Sequence, residues 1–98
     1  MPGTGRLALK WSPIALADVK RLRAFIEPHN PEAARRAAAS LKQAANLLLA
    51  HPGIGTRLEG RQDRELFVPF GQRGYVMRYR LDGDEIVILK IWHGSENR

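Results

Sequence analysis

The chain has 98 residues, of which 44% are apolar, and it carries no cysteine and a formal net charge of +6 at pH 7. This length allows one modest core, so residues 1–98 are expected to form a single domain with frayed ends at 1–5 and 95–98. The composition excludes disulfides and thiolate metal sites, and the three histidines (His29, His51 and His93) show no metal-ligand spacing.

The charge and the hydropathy pattern limit the possible partners and location. No apolar run reaches the roughly 20 residues that span a bilayer, and the first residues lack the basic and apolar regions of a signal peptide. We therefore expect a cytoplasmic protein with no membrane partner, no metal and no cofactor. The net positive charge favours a polyanion or an acidic protein as partner.

The chain begins with a predicted strand and a predicted helix. Residues 6–11 alternate, with Leu7, Leu9 and Trp11 on one side. Ser12-Pro13 then supplies a capping hydroxyl followed by proline at the first helical position. Apolar residues recur every three or four positions from there to about residue 27, which predicts an amphipathic helix.

A second helix is predicted from Pro31 to about Ala50. Asn30-Pro31-Glu32 repeats the capping signal and adds an acid at the positive end of the helix dipole. The apolar stripe of this helix is rich in alanine, which lets the first helix approach closely. His51-Pro52-Gly53 ends it, and residues 52–62 are interpreted as a loop.

The last third of the chain predicts three successive strands, at residues 64–70, 73–81 and 85–93. Gly71-Gln72 is interpreted as a two-residue turn that pairs Phe70 with Arg73. This turn would place Val68 opposite Tyr75, Leu66 opposite Met77, and Glu65 opposite Arg78 as an ion pair on the other face.

The register of the last hairpin depends on the length of its turn. A two-residue loop would set Tyr75 against Lys90, whereas a three-residue loop over residues 82–84 sets Tyr75 against Ile91. We chose the longer loop because it keeps the large apolar side chains on one face. It also predicts that Arg73 lies directly opposite His93.

These elements predict an α+β fold in the order strand, helix, helix, strand, strand, strand. A helical hairpin on one face of a small antiparallel sheet would bury every amphipathic element. If the helices cover only one face, four apolar residues are left on the other face: Phe67, Val76, Ile86 and Ile88.

Several local patterns, in this order, resemble the RelE/ParE toxin superfamily over about residues 7–94. They are Leu9-Lys10-Trp11-Ser12-Pro13, Asn30-Pro31-Glu32-Ala33-Ala34, His51-Pro52-Gly53-Ile54-Gly55, Arg64-Glu65-Leu66, Gly74-Tyr75-Val76-Met77-Arg78-Tyr79 and Ile88-Leu89-Lys90-Ile91-Trp92-His93-Gly94. The resemblance implies the toxin of a type II toxin–antitoxin pair, neutralised by an acidic antitoxin through which the complex contacts DNA. The face containing Phe67, Val76, Ile86, Ile88 and Arg78 is the predicted antitoxin-binding surface.

The resemblance leaves two activities open, because one scaffold supports both. RelE-like members cut messenger RNA on the ribosome, and the catalytic set implied for this chain would be Arg64, Glu65, Arg73 and His93. ParE-like members inhibit DNA gyrase without cutting. A basic binding module without toxicity is a third reading.

Two departures weaken the nuclease reading. Gly94 and Ser95 follow His93 where some nuclease relatives have a tyrosine, so no ring is available there to stack on a base. Residues 52–63 contain no lysine, whereas other nuclease relatives carry clustered lysines before the last strands. The long second helix also looks more like ParE, and we therefore favour gyrase as the target.

Overall fold

The computed structural model describes residues 7–94 and Glu96. The predicted frayed ends, residues 1–5 and 95–98, lie outside the described residues except for Glu96. Two helices and five strands follow in the order β1 (Ala8–Trp11), α1 (Pro13–Ile26), α2 (Pro31–Ala50), β2 (Thr56–Arg57), β3 (Arg64–Val68), β4 (Tyr75–Asp82) and β5 (Glu85–His93). Within the described residues no helix is long and apolar enough to cross a membrane.

Both helices begin at the predicted capping residues. The Ser12 hydroxyl accepts a hydrogen bond from the Ala15 amide at 2.9 Å, and the Asn30 side chain accepts one from the Ala33 amide at 3.0 Å. Each cap satisfies an amide that has no partner within the first turn of its helix, and a proline follows each cap directly. The predicted helix starts are confirmed.

The five strands form one mixed sheet in the order β1-β5-β4-β3-β2. Strand β1 lies at one edge and runs parallel to β5, while the other neighbours are antiparallel. The predicted α+β fold is confirmed, although the sheet is not wholly antiparallel. The two-residue strand β2 lies in the segment that was interpreted as a loop; its short length and three nearby glycines hide any alternation.

The β3–β4 register agrees with the prediction, but the turn between these strands does not. Val68 faces Tyr75 and Glu65 faces Arg78. The turn is longer than two residues, because the Phe70 carbonyl accepts from the Gly74 amide at 2.8 Å. Gly74 adopts a φ of 67°, a conformation that favours glycine. Arg73 therefore lies within the turn and not on a strand.

The predicted β4–β5 register is wrong. Asp82 pairs with Glu85, so the turn holds only Gly83, with a φ of 62°, and one further residue. The register then shifts: Tyr79 pairs with Ile88, but Arg78 pairs with Lys90. This β-bulge adds one residue to β5, and one extra residue reverses which face every later side chain occupies.

Side chains of the first helix and its cap support this bulge. The Ser12 hydroxyl donates to the Leu89 carbonyl at 2.9 Å, and the Ile91 amide donates to Asp18 Oδ2 at 2.8 Å. Strand β1 ends opposite Ile88. The Ser12 and Asp18 side chains therefore form hydrogen bonds with backbone groups of β5 that lie beyond the end of β1. Buried backbone groups thereby keep their hydrogen bonds through the irregularity.

The core lies between the helices and the face of the sheet that they cover, which we call the near face. Its fully buried large side chains come from α2, β4 and β5: Leu41, Leu48, Tyr75, Met77, Tyr79, Ile86, Ile88 and Ile91. Ile88 and Ile91 share this face because the bulge lies between them. The Tyr79 hydroxyl, deep in the molecule, donates to the Pro52 carbonyl at 2.7 Å and accepts from the Gly55 amide at 2.9 Å.

Candidate functional site

The face of the sheet turned away from the helices is the first candidate surface, and we call it the open face. Cross-strand pairing aligns Phe67, Val76 and Trp92 in one row of it. The next row contains Glu65, Arg78 and Lys90, and residues of both rows are absent from the core cluster. Phe67 is 58% exposed, a large fraction for an aromatic residue on a strand.

Two of the five residues predicted for this surface are not on it. Ile86 and Ile88 are fully buried in the core beneath the helices. The prediction assumed unbroken alternation with a three-residue turn, whereas the actual turn and the bulge put both isoleucines on the near face. Phe67, Val76 and Arg78 do lie on the open face. Val87, half-buried, lies between Ile86 and Ile88 and points to the opposite side.

Arg78 is at the centre of the charged row. Its Nε and one terminal nitrogen donate to the same oxygen of Glu65, at 3.0 and 2.7 Å. Its guanidinium carbon also lies 4.7 Å from the centre of the Trp92 ring, and Lys90 Nζ lies 5.6 Å from that ring. Cations over an indole face are attracted by about 0.5–1 kcal/mol at exposed sites. Arg78 and Lys90 therefore cover the Trp92 ring, which is only 7% exposed, and Phe67 is the exposed aromatic residue of these two rows.

Further cations surround these rows. Arg80 pairs across the sheet with Val87, and Val87 pairs with Lys10 on β1. Lys10 Nζ lies 2.9 Å from Glu85, and this hydrogen bond and the carboxylate charge raise the pKa of the lysine. Three cations on this face have a carboxylate partner: Lys10 pairs with Glu85, Arg78 with Glu65, and Arg80 with Asp63.

Asp63 is a buried anchor beside the open face. Its side chain is fully buried and accepts from Arg80 Nε at 2.8 Å and from Arg61 at 2.5 Å. Burial opposes ionisation of this carboxyl, but the hydrogen bonds and charges of the two arginines outweigh burial and lower its pKa. Asp63 therefore holds the loop before β3 against β4.

The four residues of the predicted nuclease set are not brought together. Arg64 donates to the Gly53 and Gly55 carbonyls at 3.3 and 2.9 Å, on the helix side of the sheet. Glu65 lies on the open face, paired with Arg78. Four rows separate Arg64, opposite Tyr79, from the row of Tyr75 and His93.

Arg73 and His93 are near the same groove but are not paired across the sheet. His93 lies opposite Tyr75, and Arg73 lies beyond it in the turn, so the predicted direct pairing is wrong, although the Arg73 carbonyl lies beside Gly94, the residue after His93. The bulge and the longer β3–β4 turn cause this offset. The two residues line a groove of about 730 Å³ between the end of α1 and the β3–β4 turn.

The groove has an aromatic floor. The Phe70 and Tyr75 rings are 5.7 Å apart, and the His93 ring meets Tyr75 edge-on at 5.6 Å. Burial raises the pKa of the Tyr75 hydroxyl, so this group stays protonated at neutral pH. Phe25, 79% exposed, forms part of the wall on the α1 side.

Sequence reasoning missed several residues of both surfaces. Trp92 was not identified as a site residue; it lies on the open face and is 7% exposed, beneath Arg78 and Lys90. Phe25 and Phe70 were not identified as site residues, because no local pattern brings the end of α1 next to the β3–β4 turn. An exposed phenylalanine on the polar side of an amphipathic helix is the one signal for Phe25.

Comparison with known proteins agrees with this architecture. Residues 9–98 match the family described as ParE toxin of type II toxin–antitoxin system, parDE. Toxin RelE1 of Caulobacter vibrioides is 40% identical over 84 residues, which cover 86% of this chain and 89% of the relative. Toxin RelE3 of the same organism is 36% identical over 91 residues, covering 93% and 98%.

Solved structures show the same fold. A chain of the chromosomal ParDE system from P. aeruginosa superposes with a TM-score of 0.78 at 26% identity, covering 92% of this chain and 98% of that one. A chain of the intact E. coli RelBE toxin–antitoxin complex gives 0.63 at 18% identity, covering 94% and 99%. The fold and these likenesses define a toxin of the RelE/ParE superfamily. More narrowly, the chain belongs to the family of ParE toxins of type II toxin–antitoxin systems.

Proposed function

We propose that this toxin inhibits bacterial growth by binding DNA gyrase and that it has no nuclease activity of its own. The observation that carries the proposal is the separation of Arg64 and Glu65 from Arg73 and His93. Attack by a ribose 2′-hydroxyl needs a base, an acid and a cation around one phosphate. Here Glu65 lies on one face, while Arg64 lies on the other, four rows from His93.

The interactions of these residues support the same conclusion. Glu65 is engaged with Arg78 in an ion pair of 2.7 Å, and Arg64 is bound to two backbone carbonyls. Both arrangements are structural and leave neither residue near His93. The match of residues 9–98 to the ParE family also supports gyrase as the target.

The alternative function is ribosome-dependent cleavage of messenger RNA. It is favoured by the RelE names of the curated relatives and by the presence of Arg73 and His93 in one groove. In that case the ribosome would have to supply what the toxin lacks around the scissile phosphate. This possibility makes His93 the residue that separates the two functions.

A gyrase assay with purified toxin tests the proposal. Added to gyrase and relaxed plasmid with ATP, the toxin is expected to abolish supercoiling and to accumulate cleaved plasmid. Induction in cells should leave transcripts intact at the time when growth stops. Early transcript cleavage with normal supercoiling would overturn the proposal.

His93→Gln provides the matched control. A gyrase inhibitor is expected to keep its inhibition of supercoiling within about tenfold, because His93 is one of several residues that line the groove and glutamine keeps polar atoms there. A nuclease that uses the imidazole as acid or base would lose about 100-fold or more of its cleavage activity. The wild type and His93→Gln therefore separate the two activities in one experiment.

We also propose that an acidic antitoxin covers the open face. The exposed Phe67 and the half-buried Val76 offer apolar contact. The net charge of +6 favours a partner segment that combines carboxylates with apolar side chains. The solved relatives from toxin–antitoxin systems support such a partner.

A further inference from the structure

The groove between α1 and the β3–β4 turn lies apart from the open face. It is lined on one side by the last turns of α1, including Phe25 and Ile26, and on the other by Phe70, Arg73 and Tyr75. At about 730 Å³ it is large enough for several side chains of a bound segment, within the range of ligand sites. His93 also lines it, and this residue faces the helix side of the sheet.

The cations around this groove differ in their availability. Arg21 is committed, since it lies 2.7 Å from Glu96 and 3.4 Å from both Asp18 and the Ile91 carbonyl. Arg73 has no hydrogen bond or ion pair to any part of the chain that the structure describes. It is exposed and stands in the turn directly above the aromatic floor. The groove thus combines an apolar floor with one cation that has no internal partner.

We propose that this groove binds an apolar side chain next to a carboxylate, presented by an acidic segment of the protein that the toxin inhibits. The ring or aliphatic chain would lie between Phe25 and Phe70, and the carboxylate would pair with Arg73. The proposal rests on the proposed function, because it assigns the occupant to the inhibited protein. The net charge of +6 favours an acidic occupant.

The geometry disfavours a nucleic acid in this groove. Phosphate binding normally draws on several cations or a row of amides. Here Arg21 already pairs with Glu96 and Asp18, which leaves Arg73 as the arginine of the groove that is available to an anion. One free arginine above an aromatic floor matches a single carboxylate attached to an apolar group.

The groove chemistry is tested with a small probe, 3-phenylpropionate, titrated into isotope-labelled toxin and followed by NMR. A ligand of this size is expected to bind with a Kd of about millimolar order. Shifts are expected at residues of the groove and not on the open face. Arg73→Gln and Phe25→Ala should each weaken binding by about fivefold or more, while Arg36→Gln, an exposed arginine on α2, should have no effect.

The same variants are then compared in the gyrase assay and in antitoxin binding. Both Arg73→Gln and Phe25→Ala are expected to reduce gyrase inhibition by about tenfold and to leave antitoxin affinity within about twofold. Both side chains are exposed, so unfolding curves should match the wild type. Loss of antitoxin affinity without loss of gyrase inhibition would assign the groove to the antitoxin and overturn the proposal.

Failure of the groove and failure of the proposed function give different results. If Arg73→Gln and Phe25→Ala do not change binding of the probe, the proposed groove site is wrong, even if the wild type inhibits gyrase. A wild type that leaves gyrase active would contradict the proposed function and with it the identity of the occupant. If the probe still binds in a way that depends on both residues, the groove binds an apolar carboxylate, but its occupant is not gyrase.

Discussion

The near face and the open face of the sheet use the same strands for different purposes. On the near face Ile86, Ile88 and Ile91 are fully buried against the helices. On the open face Phe67 is 58% exposed and Arg78 pairs with both Glu65 and the Trp92 ring. Neighbouring residues of one strand can therefore differ in role: one stabilises the fold and the next is available to a partner.

Replacing Ile88 should give the largest loss of stability. Ile88→Ala removes a fully buried side chain, and such changes cost about 2–5 kcal/mol. Val87→Ala, at the next residue but on the open face, should cost below about 1 kcal/mol because Val87 is only half-buried. Urea denaturation of both variants measures the difference. Equal losses would contradict the assignment of the two faces.

Asp18 tests whether α1 supports the bulge. Asp18→Ala would leave the Ile91 amide buried without its acceptor, at a cost of about 1–3 kcal/mol. Asp18→Asn keeps an acceptor oxygen and should retain most of the stability. Urea denaturation gives the cost, and hydrogen exchange at the Ile91 amide reports the bond itself. Unchanged exchange in Asp18→Ala would show that the bond is unimportant.

Phe67 tests the open face as a binding surface. Phe67→Ala should leave stability nearly unchanged but lower affinity for the antitoxin by about tenfold, the loss typical of a central aromatic contact. Phe25→Ala, equally aromatic and 79% exposed but in the groove, is the matched control and should not alter that affinity. Titration calorimetry with the cognate antitoxin measures both. A larger effect at Phe25 would reverse the assignment.

The smallest expected effect is the acid sensitivity that Asp63 confers. Because the folded state lowers the pKa of this carboxyl, its contribution is complete above the ordinary value of about 4 and is lost as pH falls through the folded value. The stability difference between wild type and Asp63→Asn should therefore be largest at neutral pH and shrink in acid. Denaturation at several pH values tests this, and a difference that grows in acid would refute it.

Much of the fold could be predicted from local signals. The Ser12-Pro13 and Asn30-Pro31 caps gave the helix starts, and the alternation around residues 64–81 gave the β3–β4 register. The bulge in β5 could not be predicted, because its hydrogen bonds come from Ser12 and Asp18, over 70 residues away in sequence. The bulge and the two-residue turn together put Ile86 and Ile88 in the core.

The candidate site was predicted less well for the same reason. Phe67, Val76 and Arg78 lie where the prediction placed them, since they precede the bulge and depend only on the β3–β4 register. Ile86, Ile88 and the pairing of Arg73 with His93 depended on the β4–β5 register and were wrong. The groove joins the end of α1 to a turn nearly 50 residues later, and no local pattern reports such a contact.

Hydroxyl-radical footprinting of the toxin alone and with its antitoxin tests the role of the open face most directly. Side-chain oxidation reports solvent access, and Phe67 and Phe25 are exposed residues of one type on the two surfaces. We expect the antitoxin to slow oxidation of Phe67 strongly and to leave Phe25 unchanged. Protection of Phe25 with Phe67 still oxidised at its free rate would contradict the account.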